Sequence, residues 1–220
     1  MTNPERPGAI LDLMAHELRT PLTAIRGYAE LLEDGVAGLL SAPQAQLVGH
    51  LGAAALRLEQ VVEGFLELLR LETEVPIQAT ASHDLGELLA LAIEVRQPAA
   101  LAAGTSLVVL PPPVPPPCVA HPDAVSRVLS YLLRAAIGLA APGGRLVASA
   151  ACEGGLVRVA LRDEPPVPEP TPPELVDPAV FLDLMVAGAM ATALGGKLGI
   201  AGLPGRGARI WLDLPASAPG

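Results

Sequence analysis

His16 and Glu17 set an imidazole beside a carboxylate inside an amphipathic helix near the N-terminus. A neutral imidazole, with an unperturbed pKa near ~6.5, is a nucleophile at cellular pH, and an adjacent carboxylate can hold one ring proton while the other nitrogen attacks. Glu17 is placed for that role. The helix that must present the pair has apolar or ring residues at Leu11, Met14, Leu18, Pro21, Ile25, Tyr28 and Leu32, three and four apart as a coiled-coil seam requires. At ~3.6 residues per turn His16 falls nearly opposite that seam, on the face of Asp12 and Thr20, which predicts an exposed histidine. Pro21 lies in the helix interior, where its missing N–H and ring clash cost ~3 kcal/mol, so a local bend is expected there.

The full string His16-Glu17-Leu18-Arg19-Thr20-Pro21-Leu22 resembles the phosphoacceptor box of the histidine kinases of two-component signalling, and every position matches. The resemblance implies that His16 carries a phosphoryl group, that Glu17 acts as acid/base on the imidazole and that Thr20 orients a water for dephosphorylation.

Composition narrows the class. A chain of 220 residues fits two modest domains. The net charge of −9, with no cluster of Lys or Arg, argues against nucleic acid as partner. Cys118 and Cys152 have neither metal spacing nor a disulfide framework, so both are expected as small apolar residues with free thiols in a reducing compartment. No signal peptide is evident, and the longest uncharged helical run, 184–196, is short of the ~20 residues a membrane span needs. The expectation is a soluble, cytoplasmic chain. Fifteen residues precede His16, so input from a sensor is expected to come from elsewhere unless the sequence is a fragment of a longer chain.

The first helix is expected over about Gly8 to Asp34, ended by Gly35-Val36-Ala37-Gly38. A second helix, either N-capped by Ser41 ahead of Pro43 or starting a turn later, repeats the seam at Leu47, Leu51, Ala54, Leu58, Val61, Phe65 and Leu68. Leu31, Val62 and Leu69 widen these stripes beyond what two helices can hide, so a hairpin that dimerises into a four-helix bundle is the expected form. The pattern stops past Glu74, and 75–83 reads as a linker with His83 solvated. From Asp84, with Glu87 three residues on as in a capping box, a second domain begins. It reads as a helix over 84–103, a strand over 106–110, a stiff proline connector over 111–117, a strand near 118–120 and a helix over 122–139. Strands over 145–151 and 156–161, a Pro- and Glu-rich loop over 162–178, a helix over 179–194 stopped by Gly195-Gly196, and strands over 197–201 and 208–214 complete it. The fold class is α+β, a helical hairpin followed by an α/β sandwich with an antiparallel-looking sheet.

This sandwich, from Asp84 onward, resembles the ATP-binding domain of histidine kinases in topology, which implies a dimerisation and phosphoacceptor domain over 1–74 and an ATP-binding-like domain over 84–220. Its boxes depart from the family pattern. Where the family has Asn-Leu-Leu-x-Asn-Ala, with an Asn holding magnesium, this chain has Tyr131-Leu132-Leu133-Arg134-Ala135-Ala136. Neither Tyr131 nor Ala135 replaces that amide oxygen. Where the family has Asp-x-Gly-x-Gly, whose Asp reads adenine, the chain keeps Asp163 but has Pro165 and Val167 for the glycines. Where Gly-Leu-Gly-Leu cradles phosphates at a helix start, the count back from Gly195-Gly196 lands on Phe181-Leu182-Asp183-Leu184, and Asp183 is expected to occupy or repel the anion site. Too little chain separates Asp163 from Phe181 for the family's lid.

The expectation that follows is a dimeric histidine phosphotransferase in which His16 takes a phosphoryl group from one response-regulator receiver and passes it to another. No cofactor of its own is expected; the receiver brings the magnesium and the aspartate. Arg19, Thr23 and Arg26, beside Thr20, are the expected docking surface. The alternatives are a divergent ATP-dependent kinase without a sensor, and a pseudokinase that only binds partners. A phosphatase role through Glu17 and Thr20 is compatible with the expectation.

Overall fold

The computed structural model describes residues 7–73, 82–112, 114, 116–140, 143–164, 177–201 and 209–216. The chain divides into two compact units, Met1–Glu74 and Val75–Gly220.

The first unit is an antiparallel hairpin of α1 (Pro7–Glu33) and α2 (Ala42–Thr73). The chain leaves α1 through Gly35, whose φ of 76° is the left-handed conformation favoured at a helix C-terminus. The Gln44 side-chain oxygen accepts from both the backbone N–H and the hydroxyl of Ser41, at 2.9 and 2.8 Å, which fixes the start of α2 as a capping pair. Small residues make the contact between the helices: Ala15, Ala29 and Ala55 are buried, and Gly52 lies against Ala29. Leu11, Leu22, Val48 and Leu66 fill the remaining gaps. The large residues of the two seams point elsewhere. Met14, Leu18, Ile25 and Tyr28 on α1, and Leu47, Leu51, Leu58, Val61 and Phe65 on α2, are exposed in the single hairpin.

The second unit is a two-layer sandwich. Its elements are β1 (Ser82–Asp84), α3 (Leu85–Ala102), β2 (Ser106–Leu110), β3 (Pro117–Val119), α4 (Pro122–Leu139), β4 (Arg145–Glu153), β5 (Leu156–Glu164), α5 (Pro178–Ala193), β6 (Lys197–Ala201) and β7 (Arg209–Pro215). The main sheet has the order β2-β4-β5-β7-β6. It is mixed rather than antiparallel throughout, because β2 joins β4 in parallel after α4 crosses over. The inward residues of the strands, among them Leu146, Val159, Leu161, Leu212 and Leu214, close against Leu89 of α3, Leu129 and Leu132 of α4 and Met190 of α5. Each such side chain, moved fully out of water, contributes about 1.5–3 kcal/mol.

Local chemistry sets the joints. Asp84 caps α3 by accepting from Gly86 N–H at 2.8 Å. Leu194, Gly195 and Gly196 end α5 in a Schellman turn, Gly196 N–H donating to Ala191 O and Gly195 N–H to Thr192 O. Two expectations change. His83 is not in a solvated linker but half-buried in β1, opposite Cys118 of β3. Of the two thiols only Cys118 is buried, which pushes it up to about 11, while Cys152 is exposed. Pro165 and Val167, which stand where the family would have glycines, lie outside the described residues.

Candidate functional site

His16 sits in the third turn of α1 with its side chain exposed, as do Glu17, Arg19, Thr20 and Thr23. Four residues before Pro21, the Glu17 carbonyl has lost its helical N–H donor, because proline has none. One position earlier the Thr20 hydroxyl donates to the His16 carbonyl at 2.9 Å, which ties down the side chain next to the box. The face that carries His16 is thus a row of exposed polar side chains on an unbroken helix.

The arginines are used within the hairpin. Arg26 donates to Glu59 of α2 at 2.9 Å and lies 3.4 Å from Glu30, and Arg19 reaches Glu63 at 3.4 Å. Arg26 therefore acts first as a clamp between α1 and α2. Arg19, half-exposed in its pair, and Thr23 remain presented beside His16. The signal that would have found the clamps is the acidic run Glu59, Glu63 and Glu67, four residues apart along α2.

In the sandwich, residues 131–136 of α4 and 181–184 of α5 lie on two helices packed together. Tyr131 and Ala135 face the core and are buried. Arg134, the variable position of that box, forms an ion pair with Asp183 of α5, its Nε donating to Oδ2 at 3.2 Å and its Nη2 lying 2.7 Å from Oδ1. The pair is buried, with side-chain exposures of 12% for Arg134 and 5% for Asp183. Burial pushes the Asp183 carboxyl up to about 6, and the charge and hydrogen bonds of Arg134 work against that rise. The Arg134 guanidinium also lies over the Tyr131 ring, 5.2 Å from its centroid.

Asp183 does not stand at the helix N-terminus, which corrects the expectation for it. The first turn of α5 is closed by Asp177, whose carboxylate accepts from Ala179 N–H at 2.9 Å, with Pro178 next in the chain. An Asp-Pro pair is a standard start signal, and the count back from Gly195-Gly196 passed over it. Phe181 is exposed on the outer side of α5. Asp163 is buried at the end of β5, beside a cavity of about 10 Å³ lined by Ala136, Leu139, Leu146 and Ile210. Such a space holds at most a single water.

Comparison with known proteins points to one family. Residues 8–74 match the His Kinase A (phospho-acceptor) domain. Sensor histidine kinase YcbM of Bacillus subtilis is 29% identical over 137 residues, which is 61% of this chain and 43% of that protein. The alginate biosynthesis sensor protein KinB of Pseudomonas aeruginosa is 26% identical over 211 residues, 91% of this chain and 36% of KinB. Residues 8–74 are thus similar to that phospho-acceptor domain, and longer stretches of the chain are similar to sensor histidine kinases. The structure of full-length ShkA in complex with AMPPNP overlays 97% of this chain on 46% of its own, with a TM-score of 0.64 and 26% identity. The Acinetobacter baumannii histidine kinase AdeS, at 20% identity and a TM-score of 0.59 over 92% of this chain and 98% of its own, shares the fold. The fold class is α+β, a helical hairpin followed by an α/β sheet domain of the kind these structures have. The chain spans about two fifths of the length of YcbM and of KinB. Among the described residues no helix is long and apolar enough to cross a membrane.

Proposed function

We propose that this chain is a histidine phosphotransferase of the histidine kinase family that does not draw its phosphoryl group from ATP. The observation that carries the reading is the closure of the α4–α5 region by the chain's own groups. Asp177 fills the N-terminus of α5, Arg134 and Asp183 neutralise each other between the helices, and no amide stands at positions 131 or 135. A magnesium–nucleotide needs a hard oxygen ligand, a free helix N-terminus and room for a purine, and these residues do not fit it. His16, by contrast, is fully presented.

In the transfer, a neutral His16 nitrogen attacks the phosphorus of a receiver's aspartyl phosphate. The N–P bond forms as the P–O bond to the aspartate breaks, and the aspartate leaves as a carboxylate. Glu17 holds the proton on the other ring nitrogen and stabilises the cationic ring that results. The reverse step discharges His16 to a second receiver. The receiver supplies magnesium, and Arg19 and Thr23 meet it beside His16. The exposed seam of Met14, Leu18, Ile25, Leu51, Leu58 and Phe65 supports a homodimer, since apolar rows of this length need a second hairpin to cover them.

The rival reading is a working kinase, for which the retained Asp163 and the likeness to ShkA speak. Calorimetric titration of the full chain with Mg-ATP separates the two. The phosphotransferase reading expects no saturable heat; a stoichiometric site, lost on substitution of Asp163, would restore the kinase.

A further inference from the structure

The helices cover one face of the sheet, and the other carries an unusual set of side chains. Because strand residues alternate, Arg145 of β4, Arg158 and Arg162 of β5, Lys197 of β6, and Arg209 and Trp211 of β7 all point to the face opposite the buried Leu146, Val159, Leu161, Ile210 and Leu212. Five of the chain's fourteen Lys and Arg residues stand there, in a protein whose net charge is −9. Glu164 and Asp213 stand among them, pairing with Arg162 and Arg158. Between the charges lie Val147, Ala160, Gly199 and Ala201, of which Val147 is buried.

Two features mark this face as built rather than incidental. Trp211 is the chain's single tryptophan, in a sequence with 2% aromatic residues. It lies on this face rather than in the core, with the guanidinium of Arg158 at 5.8 Å and that of Arg209 at 6.0 Å from its ring centroid. Gly199 opposite leaves the space the indole fills, since a Cβ there would strike the ring. Arg162 and Arg209 are also direct cross-strand partners, a like-charge placement that Glu164 offsets on the Arg162 side alone.

We propose that this sheet face docks the acidic surface of a partner protein. Arg158 is engaged by Asp213, whereas Arg209, held over Trp211, together with Arg145 and Lys197 presents cations that match the carboxylates of a protein surface. A single-stranded nucleic acid is the less favoured occupant, because stacking would need rings free of cations and the chain offers one indole already flanked by two.

The test uses the full chain with a short Glu-rich peptide as the probe, followed by Trp211 emission and weakened by added salt. An oligothymidylate of equal length is the second arm. The triple variant Arg162→Gln, Lys197→Gln, Arg209→Gln should bind the peptide about tenfold more weakly, with no lowering of its unfolding midpoint. That combination separates docking from a structural role, which would cost stability instead. The proposal falls if Trp211 does not respond to the peptide, if the triple variant binds as the parent does, or if oligothymidylate binds as tightly as the peptide.

Discussion

Replacing Arg134 with Met removes one half of a buried ion pair while keeping the length of the side chain. What remains is Asp183, 5% exposed, with its carboxylate facing a vacated guanidinium position between α4 and α5. Losing one partner of such a pair costs about 3–5 kcal/mol when the other stays ionised. Asp183 has a way out, because its carboxyl already sits at about 6 and rises further without Arg134. At low pH the variant binds a proton there and escapes most of the penalty; at high pH it cannot. The destabilisation should therefore be small near about pH 5 and reach about 3 kcal/mol near pH 8, lowering Tm by about 6–12 °C. Urea unfolding of the full chain followed by Trp211 emission reads this unit alone, since the single tryptophan lies on β7. A variant within about 0.5 kcal/mol of the parent at both pH values would refute the buried-pair reasoning.

Asp183 itself gives the complementary pH prediction. Its folded pKa of about 6 lies above the ordinary 3.8, so the folded state holds this proton more tightly than the unfolded chain does. Its contribution is fully present below about pH 4 and is lost as pH rises through 6, a span of about 3 kcal/mol at ~1.4 kcal/mol per unit. Asp183→Asn should lack that slope in urea titrations, and a parent that gains stability over the same window relative to the variant would show that Arg134 outweighs burial. Asp177→Ala should cost about 1 kcal/mol, read in the same unfolding assay, because Ala179 N–H loses its cap. Leu18→Asp with Ile25→Asp should convert a dimer to a monomer in light scattering while far-ultraviolet circular dichroism keeps its helical signal, since both side chains are exposed in the single hairpin.

What could be read from the sequence was what depends on near neighbours. The seams of α1 and α2, the Ser41–Gln44 cap, the Asp84 cap and the Gly195-Gly196 stop are all written within a few residues, and the elements appear where those signals place them. The seams also carried more than expected. The rows with the largest side chains are the ones left open, while alanines and glycines make the contact inside the hairpin. Strand β5 runs on through Arg162, Asp163 and Glu164, which the Pro- and Glu-rich composition of 162–178 reads as loop; pairing with β4 overrides propensity there. β1, three residues long, has no pattern to detect. The Arg134–Asp183 pair spans 49 residues and exists only once α4 and α5 are adjacent, so no local reading reaches it. The same holds for Arg26 and Glu59, 33 apart, whose pairing links α1 and α2.

The most direct test of the central claim follows acid-labile label on His16 from two donors, γ-labelled ATP with magnesium and a labelled phospho-receiver domain, with His16→Ala alongside and a working histidine kinase as positive control. The account predicts label from the receiver, none from ATP, and none on the Ala variant. Label from ATP that depends on His16 would contradict it and make the chain a kinase.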